Sequence, residues 1–160
     1  MNRERLSKSD FKKLMSQKDK KNTNLNHIIL WFLNFDQSPE EITKQLVLTP
    51  TKTAVKGQEY LSGPNQTVKK IHKFSFWEYE WKIESNQFVG ELVDKFIAEI
   101  IKPRFGEIKM LAKRIDAELK IVQYYYDGYN PGYHFSVDIM KILTEANLEI
   151  DIDTYCLTEE

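Results

Sequence analysis

The chain has little of what builds the commonest recognisable sites. Among 160 residues there are one cysteine, six glycines and five prolines. The single thiol, Cys156, excludes an internal disulfide framework and any CxxC metal or redox pair. The low glycine and proline content excludes collagen-like and linker-like composition. No apolar run approaches the roughly 18 residues of a membrane span. The first residues, MNRERLSKSDFKK, lack the apolar centre of a secretory signal, so a cytoplasmic location is expected. His27, His72 and His134 are too scattered for HxxxH or HExxH spacing, which leaves no metal site to assign. The glycines never approach GxxxxGK or GxGxxG, and GxSxG is absent. No cofactor and no catalytic residue can be assigned on these grounds.

What is present suits one folded unit. The composition is 41% hydrophobic and 12% aromatic. A chain of this length can bury about 70% of the surface that its unfolded form exposes. The net charge of −1 conceals an asymmetry. Residues 1–22 hold eight bases (Arg3, Arg5, Lys8, Lys12, Lys13, Lys18, Lys20, Lys21) against three acids, or +5. The other 138 residues hold 15 bases and 21 acids, or −6. Residues 1–24 therefore read as a basic N-terminal arm, and 25–160 as a single domain. Ser9 or Asp10 could cap a short helix in the arm, carrying Phe11, Leu14 and Met15 on one side. The arm is expected to be dispensable for folding.

Within the body, His27–Phe35 is apolar on both faces, as in a central strand covered on both sides. Ser38, Pro39 and Glu41 announce a helix through a capping box and a proline at its first position. Lys56-Gly57 and Ser62-Gly-Pro-Asn65 read as turns. Over Phe76–Ile83, Trp77, Tyr79, Trp81 and Ile83 share one face of a strand, predicted to be buried against the longest helix. Phe74 and Phe76 have the other parity, which implies a bulge near Ser75 or a separate strand. Ser85 is the expected cap of that longest helix, and Pro103 is expected to break or kink it. A strand over Glu118–Tyr126, a helix capped by Ser136 and a last strand over Leu148–Leu157 complete the pattern. Leu148, Ile150, Ile152 and Cys156 are predicted to face inward. The fold class is α+β: a mixed sheet of about five to six strands packed with about three helices. A weak βα pseudo-repeat relates 27–48 to 119–150.

Two groups stand out as candidate contact residues. Glu149, Asp151 and Asp153 alternate on the last strand, so their carboxylates share a face. Alternate residues lie about 7 Å apart along a strand, too far to hold one cation without further ligands. The second group is Tyr124, Tyr125, Tyr126, Tyr129, Tyr133 and His134 around a Gly-Pro loop. Tyr129 and Tyr133 are candidate partner contacts, because tyrosine is large, rigid and polar-tipped. Tyr125 is expected to lie opposite Tyr124 and Tyr126.

Phe35-Asp36-x-Ser-Pro-Glu-Glu-Ile42-Thr43, Leu46-x-Leu48-x-Pro50, Lys56-Gly57, Trp77 and Leu148-x-Ile-Asp151-Ile-Asp153-x-Tyr155 carry a resemblance over residues 27–157. They resemble the bacterial domain-of-unknown-function family 4279. The resemblance implies no assigned activity and no catalytic residues. Some relatives look like immunity proteins of toxin systems. The expected function is thus non-catalytic protein binding, by an inhibitor that neutralises a basic, toxin-like partner through Tyr129, Tyr133, Glu149, Asp151 and Asp153. The alternatives are a small enzyme whose site assembles only in three dimensions, and a nucleic-acid-associated protein using the basic arm. No membrane contact is expected, and the oligomeric state is not legible.

Overall fold

The longest apolar run of the sequence forms β1 (Leu25–Leu33), the middle strand of a five-stranded sheet. The structure, a computed structural model, describes residues 23–63, 65–126 and 132–157. The expected arm helix at Phe11, Leu14 and Met15, and the candidate Tyr129, lie outside the described residues. β5 (Phe76–Glu84) and β6 (Asp116–Tyr125) flank β1 and are antiparallel to it. β2 (Lys52–Ala54) closes one edge against β5. β7 (Glu149–Cys156) closes the other edge, parallel to β6. The order is β2-β5-β1-β6-β7, and β3 (Glu59–Ser62) pairs with β4 (Val68–Ile71) as a separate hairpin. Gly57 and Gly63, at φ 86° and 90°, make the turns in left-handed conformations that favour glycine. The sheet is mixed and the class is α+β, as the sequence predicts.

The helical segments are α1 (Pro39–Leu46), α2 (Val89–Phe96), α3 (Phe105–Ala112) and α4 (Val137–Ala146). A π turn over Ile97–Ile101 and a 3-10 turn over Lys102–Arg104 join α2 to α3. The disturbance expected at Pro103 therefore takes the form of a change in helical winding, since proline supplies no amide donor. Ser136 caps α4 by accepting from the Ile139 N–H at 3.2 Å. Two other expected caps differ. Ser38 stands at the N-cap of α1, but its side chain makes no capping bond. Ser85 lies upstream of α2, where its Oγ accepts from the Gln87 N–H at 3.0 Å, and Phe88 is the N-cap.

Among the described residues the helices pack on one face of the sheet. Ile28, Leu30 and Phe32 of β1, Trp77 of β5, and Leu119 and Ile121 of β6 meet Val93, Phe96, Ile97, Ile108 and Leu143 in one core. Burying such a side chain stabilises by about 1.5–3 kcal/mol relative to leaving it exposed. Tyr79 and Trp81 lean on Phe96, with ring centroids 6.3 and 5.2 Å away. The alternation read from Trp77 to Ile83 is thus realised.

Three expectations need correction. β1 is central, but among the described residues helices cover only one of its faces. The other face keeps its apolar residues by lateral packing, as where Leu33, Ala54 and Phe76 cluster beside Trp31. Phe76 opens β5 in unbroken register with β1, and its ring and that of Phe74 meet Trp31 on that second face, so neither a bulge nor a separate strand is needed. On the edge strand β7, Ile150 and Cys156 have inward parity yet are exposed, because the described helices do not reach over them.

The pseudo-repeat has a topological basis. β1 and β2 are both antiparallel to β5 and hence parallel to each other, as β6 and β7 are. In the first unit β5 is inserted between the two strands.

Candidate binding face

The strand register assembles a row of charges on the face away from the helices. Trp31 pairs with Glu78 and Glu118, and Glu118 with Glu149. Ile29 pairs with Glu80 and Lys120, and Lys120 with Asp151. His27 pairs with Lys82 and Val122, and Val122 with Asp153. The face holds eight acids (Glu78, Glu80, Glu84, Asp116, Glu118, Glu149, Asp151, Asp153) against three bases (Lys52, Lys82, Lys120), or −5. Most of the body's −6 thus lies on one side of one sheet. An apolar stripe, Leu25, Ile29, Trp31 and Leu33, runs down its middle.

Lys120 is the hub. Its ammonium donates to Asp151 Oδ2 at 2.6 Å and sits 3.1 Å from Asp153 Oδ2. It also lies 5.5 Å from the centroid of the Trp31 ring. Burial pulls the Lys120 pKa down, but the hydrogen bonds and charges of the two aspartates outweigh it and leave it raised. The remaining acids are less well matched. Burial raises the Glu78 carboxyl, with Lys52 opposing and Glu80 adding to the rise. Burial also raises Glu118, and Asp151 adds to this more than Lys120 offsets. Such a face has unspent attraction for cations. His27 Nδ1 lies 2.5 Å from Glu80 Oε1 and donates to it, which leaves Nε2 as the ring's second site. His27 Nε2 and Trp31 Nε1 are screened from water without a hydrogen-bond partner.

Aromatic rings frame the charges. Tyr124 stacks on Tyr155 at 5.0 Å between centroids, at the end of the face where β1 begins. At the other end Trp31 meets Phe74 and Phe76 edge-on at 6.5 and 6.4 Å. A shallow cleft of about 490 Å3 follows, lined by Tyr60, Lys70, Ile71, His72, Lys73, Phe74 and Phe76.

The structure divides the candidate residues. Glu149, Asp151 and Asp153 lie together on this face, as their alternation predicts. Tyr133 does not join them. Its hydroxyl meets Thr154 Oγ1 at 2.6 Å and Gln123 Oε1 at 3.3 Å on the helix side of β6 and β7, and its ring packs on the core. Burial raises its pKa, the Thr154 hydrogen bond opposing. Tyr125 is buried with Phe88, on the side opposite Tyr124. The helix side also holds buried carboxamides, Asn24, Asn26 and Gln123, each with one unpartnered polar atom. They can hold a neutral polar group, but none is an acid or base.

His27 and His72 are engaged separately, by Glu80 and by a stack on Tyr60 at 4.2 Å. Among the described residues no group of three His, Cys, Asp or Glu is placed to share a metal ion. Among them, too, no helix is long and apolar enough to cross a membrane. Reading the sequence missed Trp31, Tyr124, Tyr155, Glu78, Glu80 and Lys120 as parts of one surface. The available signal was parity: on each strand these alternate with core residues. Their union depends on strand order.

The family model described as a domain of unknown function, DUF4279, matches residues 23–157. The chain belongs to that family. No curated protein and no solved structure matches it.

Proposed function

We propose that the domain is a non-catalytic binding module, an immunity-type inhibitor that occludes a basic, toxin-like protein in a bacterial cytoplasm. The observation that carries this reading is the −5 sheet face, with its carboxylates arrayed around the Trp31 stripe. Charge complementarity speeds encounter with a basic partner, while desolvated aromatic anchors set how long the complex lasts. Glu149, Asp151 and Asp153 supply the steering in this reading. Trp31, Tyr124 and Tyr155 supply the anchors in place of Tyr133, and Tyr129 remains a candidate contact. The buried carboxamides offer no nucleophile or proton donor suited to catalysis at neutral pH.

The test is co-expression with the product of the adjacent gene, scoring cell survival and complex formation. Protection that is lost when face residues are changed, in variants that stay folded, is the expected result. Chemical turnover by the isolated protein, or protection indifferent to the face, would overturn the reading.

A further inference from the structure

We propose that the open sheet face is occupied by the chain's own N-terminal arm, residues 1–22, which a basic partner has to displace. Three observations meet here. The first is charge: the arm carries +5 and the face −5. A second copy of the face is excluded as the occupant by like-charge repulsion, and a polyanion is excluded for the same reason.

The second is reach. The arm joins the sheet just before Leu25, beside the Tyr124–Tyr155 stack and thus at one end of the face. β1 is nine residues long, about 30 Å at strand rise. Twenty-two residues span about 33 Å as a helix and more when extended, so the arm can cover the stripe from end to end. Its Phe11, Leu14 and Met15 match the apolar stripe, and the lysines match the flanking carboxylates.

The third is the state of the face itself. Ile29 is 9% exposed at the centre of a face that no described helix covers. His27 Nε2 and Trp31 Nε1, on the same strand, are sealed from water and unpartnered. Docking brings polar groups within reach of these two nitrogens.

The regulatory consequence rests on the proposed function: a docked arm competes with the partner and lowers its apparent affinity. The docking itself needs no partner, so its test is independent. The full chain, alone, is treated with a water-soluble carbodiimide that joins lysine amines directly to carboxylates, and linked peptides are mapped by mass spectrometry. Links within one molecule are expected from Lys12, Lys13, Lys18, Lys20 or Lys21 to Glu78, Glu80, Glu149 or Asp151. They should fall by more than about half in 1 M salt, where the screening length is about 3 Å. In parallel, reversing the arm (Lys12→Glu, Lys13→Glu, Lys18→Glu, Lys20→Glu, Lys21→Glu) should raise acrylamide quenching of Trp31 about twofold. Subtracting the signal of Trp31→Phe isolates that tryptophan from Trp77 and Trp81 on the helix side. Arm links confined to helix-side acids such as Asp94 or Glu107, links confined to covalent dimers, or Trp31 quenching indifferent to arm charge would each overturn the proposal. All three leave the partner-binding reading standing. Survival without partner specificity would remove that reading and leave the docked arm.

Discussion

Lys120 holds its ammonium 2.6 Å from Asp151 across the β6–β7 pair and 5.5 Å from the centre of the Trp31 ring. One cation thus ties the acidic edge strand to the apolar stripe of the central strand. Lys120→Met should cost about 0.2–1 kcal/mol, the range of partly exposed ion pairs, read as a shift in denaturant midpoint. It also makes the face more acidic. Association with a basic partner should therefore speed up while stability falls, a combination that a purely structural lysine would not give.

Glu118 has the opposite sign. Its folded pKa is raised, first by burial and then by Asp151, so the folded form favours the protonated acid. The stability linked to that proton is fully present below the unfolded value and is lost as pH rises through the folded one. Glu118→Gln should match or exceed the parent at pH 7, by up to about 0.5 kcal/mol. The advantage should vanish as pH falls below the ordinary value of 4.5. Thermal melts of both proteins across this range check it.

Tyr133 separates structure from binding. Tyr133→Phe removes the bonds to Thr154 and Gln123 and should cost about 1 kcal/mol. Partner dissociation should be unchanged, whereas Tyr155→Ala on the open face should accelerate it, tenfold for each roughly 1.4 kcal/mol lost. Surface-immobilised kinetics distinguish the two.

Trp77 is fully buried and its Nε1–H donates to Thr43 Oγ1 at 3.0 Å, while Trp81 is partly exposed. Trp77→Ala should cost about 3–5 kcal/mol, and Trp81→Ala less. Equal costs in urea unfolding would contradict the facing of β5.

These contrasts mark what residues reveal about themselves. Period-two alternation exposed the core side of β5 and the outward side of β7, because parity is a local property. Ser136 was legible as a cap because its bond closes within three residues. Ser85 looked equivalent, but tertiary bonds to Asn24 and Asn26 and a delayed helix start overrode it. Tyr133 was misleading for a related reason: aromatic density marks a surface or a core equally well. The acidic face was not legible as a unit. Glu78, Glu118 and Glu149 lie far apart in sequence and meet through the order β5-β1-β6-β7, which no local pattern encodes.

The most direct measurement is the association rate of the adjacent-gene product with the chain and with the triple variant Glu149→Gln, Asp151→Asn, Asp153→Asn. The substitutions lower the face from five net negative charges to two. Association should slow by about tenfold at low salt, and the dependence of the rate on ionic strength should flatten, with the fold intact by circular dichroism. An unchanged rate with an unchanged salt slope would contradict the role of this face.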